Sequence, residues 1–143
     1  MIHQATFKIR TFHCDAFGHV NNSRHTELLE EARWQFAEAI GLLPMLKKTD
    51  VGFIIMDMRV RFRAPVFESE TVQINTCLKT LGSASGEVEQ LMYKADGSMA
   101  IKSLFHFILI DRNNNNASVA IDGDIRDLLI KVLEPTGAKL AQA

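Results

Sequence analysis

Residues 5–12, ATFKIRTF, set Phe7, Ile9 and Thr11 against Lys8 and Arg10. That two-residue period predicts a strand. Gly18 interrupts it, and Asn21, Asn22 and Ser23, all favoured N-cap residues, follow at once, so a helix opens near them. Leu28, Leu29, Ala32, Phe36, Ala39 and Ile40 recur at helical spacing as one apolar stripe, and Gly41 supplies a C-terminal stop. A stripe that apolar predicts a helix well buried against a sheet. A loop with Pro44 and Lys47-Lys48 leads to residues 51–64, VGFIIMDMRVRFRA. There Met56, Met58, Val60 and Phe62 share one face, and Asp57, Arg59, Arg61 and Arg63 the other. The expectation is a long strand with a core face and a charged face, ended by Pro65. Val72, Ile74, Thr76 and Leu78 group on one side of a third strand over 71–80. LGSASG (81–86) reads as a turn and 87–95 as a fourth strand, with a hairpin signal at Asp96-Gly97. Residues 98–111 make a long fifth strand, apolar on both faces from Leu104 to Ile110 and therefore central. RNNNN (112–116) turns the chain and SVAI offers a short edge strand. In the tail, Ile125, Leu128, Leu129 and Val132 have the spacing of an amphipathic closing helix.

The order is strand, long helix, four antiparallel strands and a small helix. That is an α+β layout, one helix laid on a bent antiparallel sheet. The charged face of the 51–64 strand and the sheet edges need other cover, which a partner subunit supplies most economically.

Composition narrows the function classes. The 143 residues fit a single domain, 1–143, with 47% hydrophobic and 23% charged residues, the balance of an ordinary soluble globule. A formal net charge of -1 gives no strong field to draw nucleic acid or a membrane surface. The opening MIHQATFKIR lacks the apolar run of a signal peptide, and no stretch reaches bilayer length. Cys14 and Cys77 are the only cysteines and have no CxxC spacing. A disulfide framework or zinc site is not expected, and a reducing cytoplasm is the default setting.

The chemistry concentrates in residues 13–33, HCDAFGHVNNSRHTELLEEAR. Asp15 is followed by Gly18, His19, Val20 and the Asn21-Asn22 pair, and then by the helix. A helix opening just past a tight turn presents unpaired N–H groups and a positive dipole end. That end favours negative charge, including charge that develops only in a transition state. One short stretch thus supplies a carboxylate and, a few residues on, a candidate oxyanion site.

The motif Asp15-x-x-Gly18-His19-Val20-Asn21-Asn22, with Glu30-Glu31-Ala32-Arg33 on the helix, resembles the hotdog-fold acyl-CoA thioesterases of the 4-hydroxybenzoyl-CoA thioesterase type. LEEARW (29–34) and RFRAPV (61–66) look most like the thioesterase III (FadM-like) long-chain acyl-CoA hydrolases. The resemblance spans nearly the whole chain. It implies a long central helix wrapped by a curved antiparallel sheet of five or six strands. It further implies dimers joined sheet edge to sheet edge, often paired into tetramers, with the active site at the dimer interface. The implied reaction converts acyl-CoA and water to a free fatty acid, of medium to long chain, and coenzyme A, with no cofactor and no metal. Residue matching makes Asp15 the catalytic carboxylate, as general base or as nucleophile, and the Asn22 main-chain N–H the oxyanion donor, with Ser23 close by. One departure stands out: many relatives carry Tyr where this chain has His25.

Each of these residues also has a plainer role open to it. Asp15 can cap a turn, and Asn21 and Asn22 can serve only as cap and turn residues. Gly18 either lets the backbone approach the thioester or simply turns the chain. His19 is read as shaping its loop rather than as an acid or base, and His19, His25 and Asp15 do not form a metal set. Glu30 and Arg33 are spaced to pair with each other or across an interface. Arg59, Arg61 and Arg63 suit coenzyme A phosphates, or at least as well a solvated strand face or a subunit salt bridge. The turn holding Ser83 and Ser85 approaches the site from the neighbouring chain in the resembled family; otherwise they are polar turn filler. Methionines on the 51–64 strand line either an acyl pocket or the core. Two alternatives to hydrolysis are a hotdog hydratase or dehydratase on acyl thioesters and a non-catalytic acyl-thioester binder.

Overall fold

A computed structural model describes residues 1–134. The first strand, β1 (His3–Lys8), ends earlier than its alternation predicts, because Arg10 caps a 3-10 turn over Thr11–His13. Helix α1 (Asn22–Ala39) and helix α2 (Leu42–Leu46) follow. Then come β2 (Val51–Phe62), β3 (Thr71–Leu81), β4 (Ser85–Tyr93), β5 (Met99–Asp111), β6 (Ala117–Val119) and helix α3 (Gly123–Val132). The strands form one antiparallel sheet in the order β1-β3-β4-β5-β2, with β6 beside the end of β5. The predicted turn 81–86 is shorter than expected, since β3 and β4 extend into it. Residues 42–46, expected as loop, are helical: Pro44 sits in the first turn, where no N–H is missed.

Helix α1 lies on the sheet through His25, Leu28, Leu29, Ala32 and Phe36, with Ile40 just beyond its end. Ala39 belongs to the predicted stripe but is exposed. Gly41 takes φ +80 and stops the helix as its spacing predicts. Opposite α1 stand Val72, Ile74, Leu78, Met92, Ile101 and Phe105, all in the same apolar cluster. Burying a side chain such as Leu29 contributes about 1.5–3 kcal/mol. A polar seam fixes how α1 is rotated on this bed. Gln90 Nε2 donates to the Leu29 carbonyl and to Thr76 Oγ1, each at 2.9 Å. Arg33 donates to Gln90 Oε1 at 2.9 Å and lies 3.9 Å from the Phe105 ring centroid. Arg33 therefore meets the sheet, and no ion pair with Glu30 forms among the described residues.

β2 departs most from expectation. It is an edge strand with β5 on one side only. The register slips between Ile55 and Asp57, so Met56 occupies a bulge. Met58, Val60 and Phe62 then face the helix side, opposite Phe105, Ser103 and Ile101 of β5. The predicted core face is nonetheless largely uncovered: Met58 is 59% exposed, and Met56 and Phe62 are exposed too. An edge position lacks the neighbouring strand that would close over them. Among the described residues no helix is long and apolar enough to cross a membrane.

Candidate active site

The segment between β1 and α1 is held by main-chain hydrogen bonds from three directions. The Asp15 N–H donates to the His19 carbonyl and the Gly18 N–H to the Asp15 carbonyl, both at 3.0 Å. A bridge between Cys14 and Val20 closes this small loop, and Gly18 takes φ +85 at its corner, a conformation glycine adopts without strain. Val20 donates to the Val66 carbonyl at 2.8 Å, and His19 bridges to Phe67, tying the loop to the segment after β2. Asn21 N–H donates to the His13 carbonyl at 2.9 Å, which fixes where α1 begins.

Within this frame the Asp15 carboxylate is half-buried, and its Oδ1 accepts the Phe17 N–H at 2.9 Å. The turn-capping role is thus present. It engages one oxygen; among the described residues Oδ2 has no hydrogen-bond partner. Asn21 is the N-cap of α1, and its side chain accepts from the Ser23 N–H at 2.7 Å. Asn22, at the first helical position, is an exposed residue, and its N–H has no acceptor among the described residues. Of the two amides at the helix start, Asn22 rather than Ser23 is therefore open to an incoming oxyanion.

The histidines divide by role. His19 is stacked against Phe17 at 6.4 Å and edge-on to Phe67 at 6.2 Å, which suits a loop-shaping residue. His25 is only 3% exposed, with its ring 5.7 Å from Phe62 of β2 and no partner for Nδ1. Burial, reinforced by His19 and His13, pushes its pKa down to about 4, so the ring is neutral at physiological pH. His13 is lowered too, chiefly by burial and then by Arg24. Among the described residues no group of three His, Cys, Asp or Glu is placed to hold a metal ion.

Among the described residues no hydrogen bond or ion pair links the other predicted site residues to Asp15. Ser83 and Ser85 lie at the β3–β4 turn, where the Ser83 carbonyl accepts from Ile121 and the Ser85 carbonyl from Gly82. Arg63 is exposed and reaches Met99 Sδ at 3.8 Å, while Arg59 and Arg61 project from the β2 edge.

One feature sequence reasoning missed is a cavity of about 690 Å³ between the second half of α1, α2 and the sheet. Its rim is Trp34, Lys47, Ile54, Ile55 and Arg112, all exposed. Its floor is Leu78, Val88 and Phe107, all buried. The volume falls within the roughly 300–1,000 Å³ typical of small-molecule sites. Leu42, Leu43 and Leu46 of α2 line it, at a spacing that was visible in the sequence but passed as loop.

A family model described as the thioesterase-like superfamily matches residues 9–129. The long-chain acyl-CoA thioesterase FadM of Escherichia coli (strain K12) is 29% identical over 132 residues, 92% of this chain and 99% of that protein. The crystal structure of YbaW, a probable thioesterase from Escherichia coli, superposes with a TM-score of 0.83 at 28% identity, covering 92% of this chain and 98% of that one. A putative oleoyl thioesterase from Lactobacillus plantarum shares the fold, with a TM-score of 0.84 at 15% identity, over 91% of this chain and 51% of that one.

Proposed function

The chain belongs to the thioesterase-like superfamily, with the hotdog fold, and from that membership we propose that it hydrolyses long-chain acyl-CoA to a free fatty acid and coenzyme A. The observation that carries the site assignment is the pairing of a carboxylate with one uncommitted oxygen, Asp15, and an unengaged helix-start amide, Asn22 N–H. The thioester carbonyl accepts from the Asn22 N–H. Asp15 Oδ2 takes a proton from the attacking water, or attacks the carbonyl itself to give a mixed anhydride that water then cleaves. The tetrahedral oxyanion gains most from the helix N-terminus, because its charge exceeds that of the ground-state carbonyl. Collapse expels the coenzyme A thiolate.

The placement of the parts supports a two-fold assembly with a shared site. On α1 the cavity begins at Glu30, eight residues past Asn22, or about 12 Å along the axis. On β2 it touches Val51–Ile55, whereas Phe62 at the other end packs on His25. Those ends are separated by about 36 Å of extended chain. A two-fold axis through the middle of β2 would pair this edge with its copy. Val51 of one subunit, which lines the cavity, would then lie beside the partner's Phe62, so an acyl group held by the partner's Asn22 would enter this subunit's cavity. Exposed Ile54, Ile55, Met56 and Met58 on an unpaired edge support that arrangement. The reading is thus a single-domain, cytoplasmic homodimer with a shared site, paired further into a tetramer.

A thiol-release assay over a graded series of acyl-CoAs tests the activity. Turnover rising with chain length to an optimum among the longer chains is expected, and no release from any member would refute the activity. Hydration of an enoyl-CoA without thiol release would select the hydratase alternative.

A further inference from the structure

Gly86 and Phe107 face each other across β4 and β5. A methyl group on Gly86 would lie 2.6 Å from Phe107 Cζ and 2.8 Å from both Phe107 Cε1 and the Thr80 carbonyl oxygen. Real carbon contacts do not come that close. The Phe107 ring therefore occupies the space a side chain at residue 86 would need. On its other side Phe53 meets it edge-on, with centroids 5.0 Å apart. The glycine sets the ring down onto the sheet and Phe53 keeps it there. Phe107 is 3% exposed yet lines the cavity, with its cross-strand neighbour Ile55 at the exposed rim.

An apolar chain that enters over that rim runs down between α1 and β2 and meets a rigid aromatic face. We propose that the Phe107 ring, seated on Gly86 and braced by Phe53, is the stop that sets which acyl chain length this protein prefers. The inference rests on the thioesterase reading and adds the residue that selects among substrates. Its physical content is simple. A methylene that fits above the ring leaves water, which is worth about 4-fold per CH₂ in kcat/KM. The first methylene that does not fit must displace a buried ring held on both sides, and the gain reverses.

The test is kcat/KM by thiol release from octanoyl-CoA to stearoyl-CoA in two-carbon steps. Wild type should rise to an optimum and then fall. Phe107→Leu lowers the floor and should move the optimum to a longer chain, with at least a 4-fold gain on the first substrate beyond the wild-type optimum. Gly86→Ala lifts the ring into the cavity and should move the optimum to a shorter chain. Should Gly86→Ala fail to fold, Val88→Leu adds bulk to the same floor and replaces it; Phe53→Leu does the same service for Phe107→Leu. Opposite shifts from the two kinds of variant support the stop. A uniform loss across all lengths, or an optimum unchanged in folded variants, overturns it while leaving the thioesterase reading intact. Absence of thiol release by wild type on every substrate overturns that reading, and the stop with it.

Discussion

Asn21 Oδ1 accepts the Ser23 N–H at 2.7 Å, and that single hydrogen bond decides which amide at the mouth of α1 is available. With Ser23 engaged, the Asn22 N–H is the donor left without an acceptor among the described residues. Asn22→Pro isolates it. Proline is accepted at the first helical position, and Asn21, at φ -65 and ψ 143, already has the extended backbone a residue before proline requires. The variant should fold with little change in melting temperature and lose about 10²–10³ in kcat, the size of a lost oxyanion donor. Full kcat in a folded Asn22→Pro protein would remove Asn22 from the mechanism.

Asp15→Asn separates the two roles of Asp15. The amide oxygen still accepts the Phe17 N–H, so the 15–18 loop should keep its shape. The amide can neither take a proton from water nor attack a thioester. Hydrolysis should fall by about 10²–10⁴, the usual worth of a general base, while acyl-CoA affinity by calorimetry stays within a few-fold of wild type. Unchanged turnover would leave Asp15 as a turn residue only.

Much of this arrangement can be read from the chain before any coordinates. Asn21 to Ser23 mark the helix start because their side chains compete for the same unpaired amides, a local effect. Gly41 and Asp96-Gly97 are legible for the same reason: a positive φ demands few residue types, and Gly41 and Gly97 take φ +80 and +86. What local pattern does not carry is the number of neighbours a strand has. The alternation of Met58, Val60 and Phe62 is real, and the face exists, but β2 lies at the edge and the bulge at Met56 resets its phase. The cavity is equally invisible, because Gly86, Phe107, Phe53 and Leu42 meet only through the fold. The Arg33–Gln90 bond belongs to the same class, joining residues 57 apart in sequence.

The exposed edge predicts its own remedy. Wild type should scatter light as a dimer or larger. Met58→Lys puts a charge at the centre of the β2 edge, where it opposes close pairing with a second copy. It should yield a folded monomer with hydrolysis reduced at least tenfold, because carbonyl site and acyl cavity would no longer meet. A fully active monomer would place the whole site within one chain.

His25 gives the protein an acid limit. Its pKa is about 4 in the fold against 6.5 for an ordinary histidine, so the unfolded chain binds the proton first as pH falls. Stability is therefore unaffected by this group above pH 6.5 and declines from there to about pH 4, where the folded ring also protonates. The full loss is up to ~3 kcal/mol. Melting temperature measured across that window should fall steeply in wild type and more shallowly in His25→Phe, which keeps the contact with Phe62. Parallel curves would show that the acid sensitivity lies elsewhere.

Lys94 braces the connector to which the 15–20 loop is tied. Its side chain is 15% exposed; Nζ donates to the Pro65 carbonyl at 2.9 Å, pairs with Glu70 at 3.2 Å and sits 5.5 Å from the Phe67 ring centroid. Glu70 in turn accepts the Phe67 N–H at 2.6 Å, and Phe67 and Val66 bridge to His19 and Val20. The path from Lys94 to Asp15 thus runs through one short connector. Lys94→Met keeps the aliphatic stem and removes the charge. It should cost about 1.5–3 kcal/mol, the worth of a hydrogen bond to a charged group, leaving a partly buried Glu70 with the Phe67 N–H but without the Lys94 cation. If the connector positions the loop, kcat should drop several-fold at a temperature where the variant is fully folded, with KM little changed, and Lys94→Arg should restore part of it. A lower melting temperature with wild-type kcat would make Lys94 a brace for the fold and nothing more.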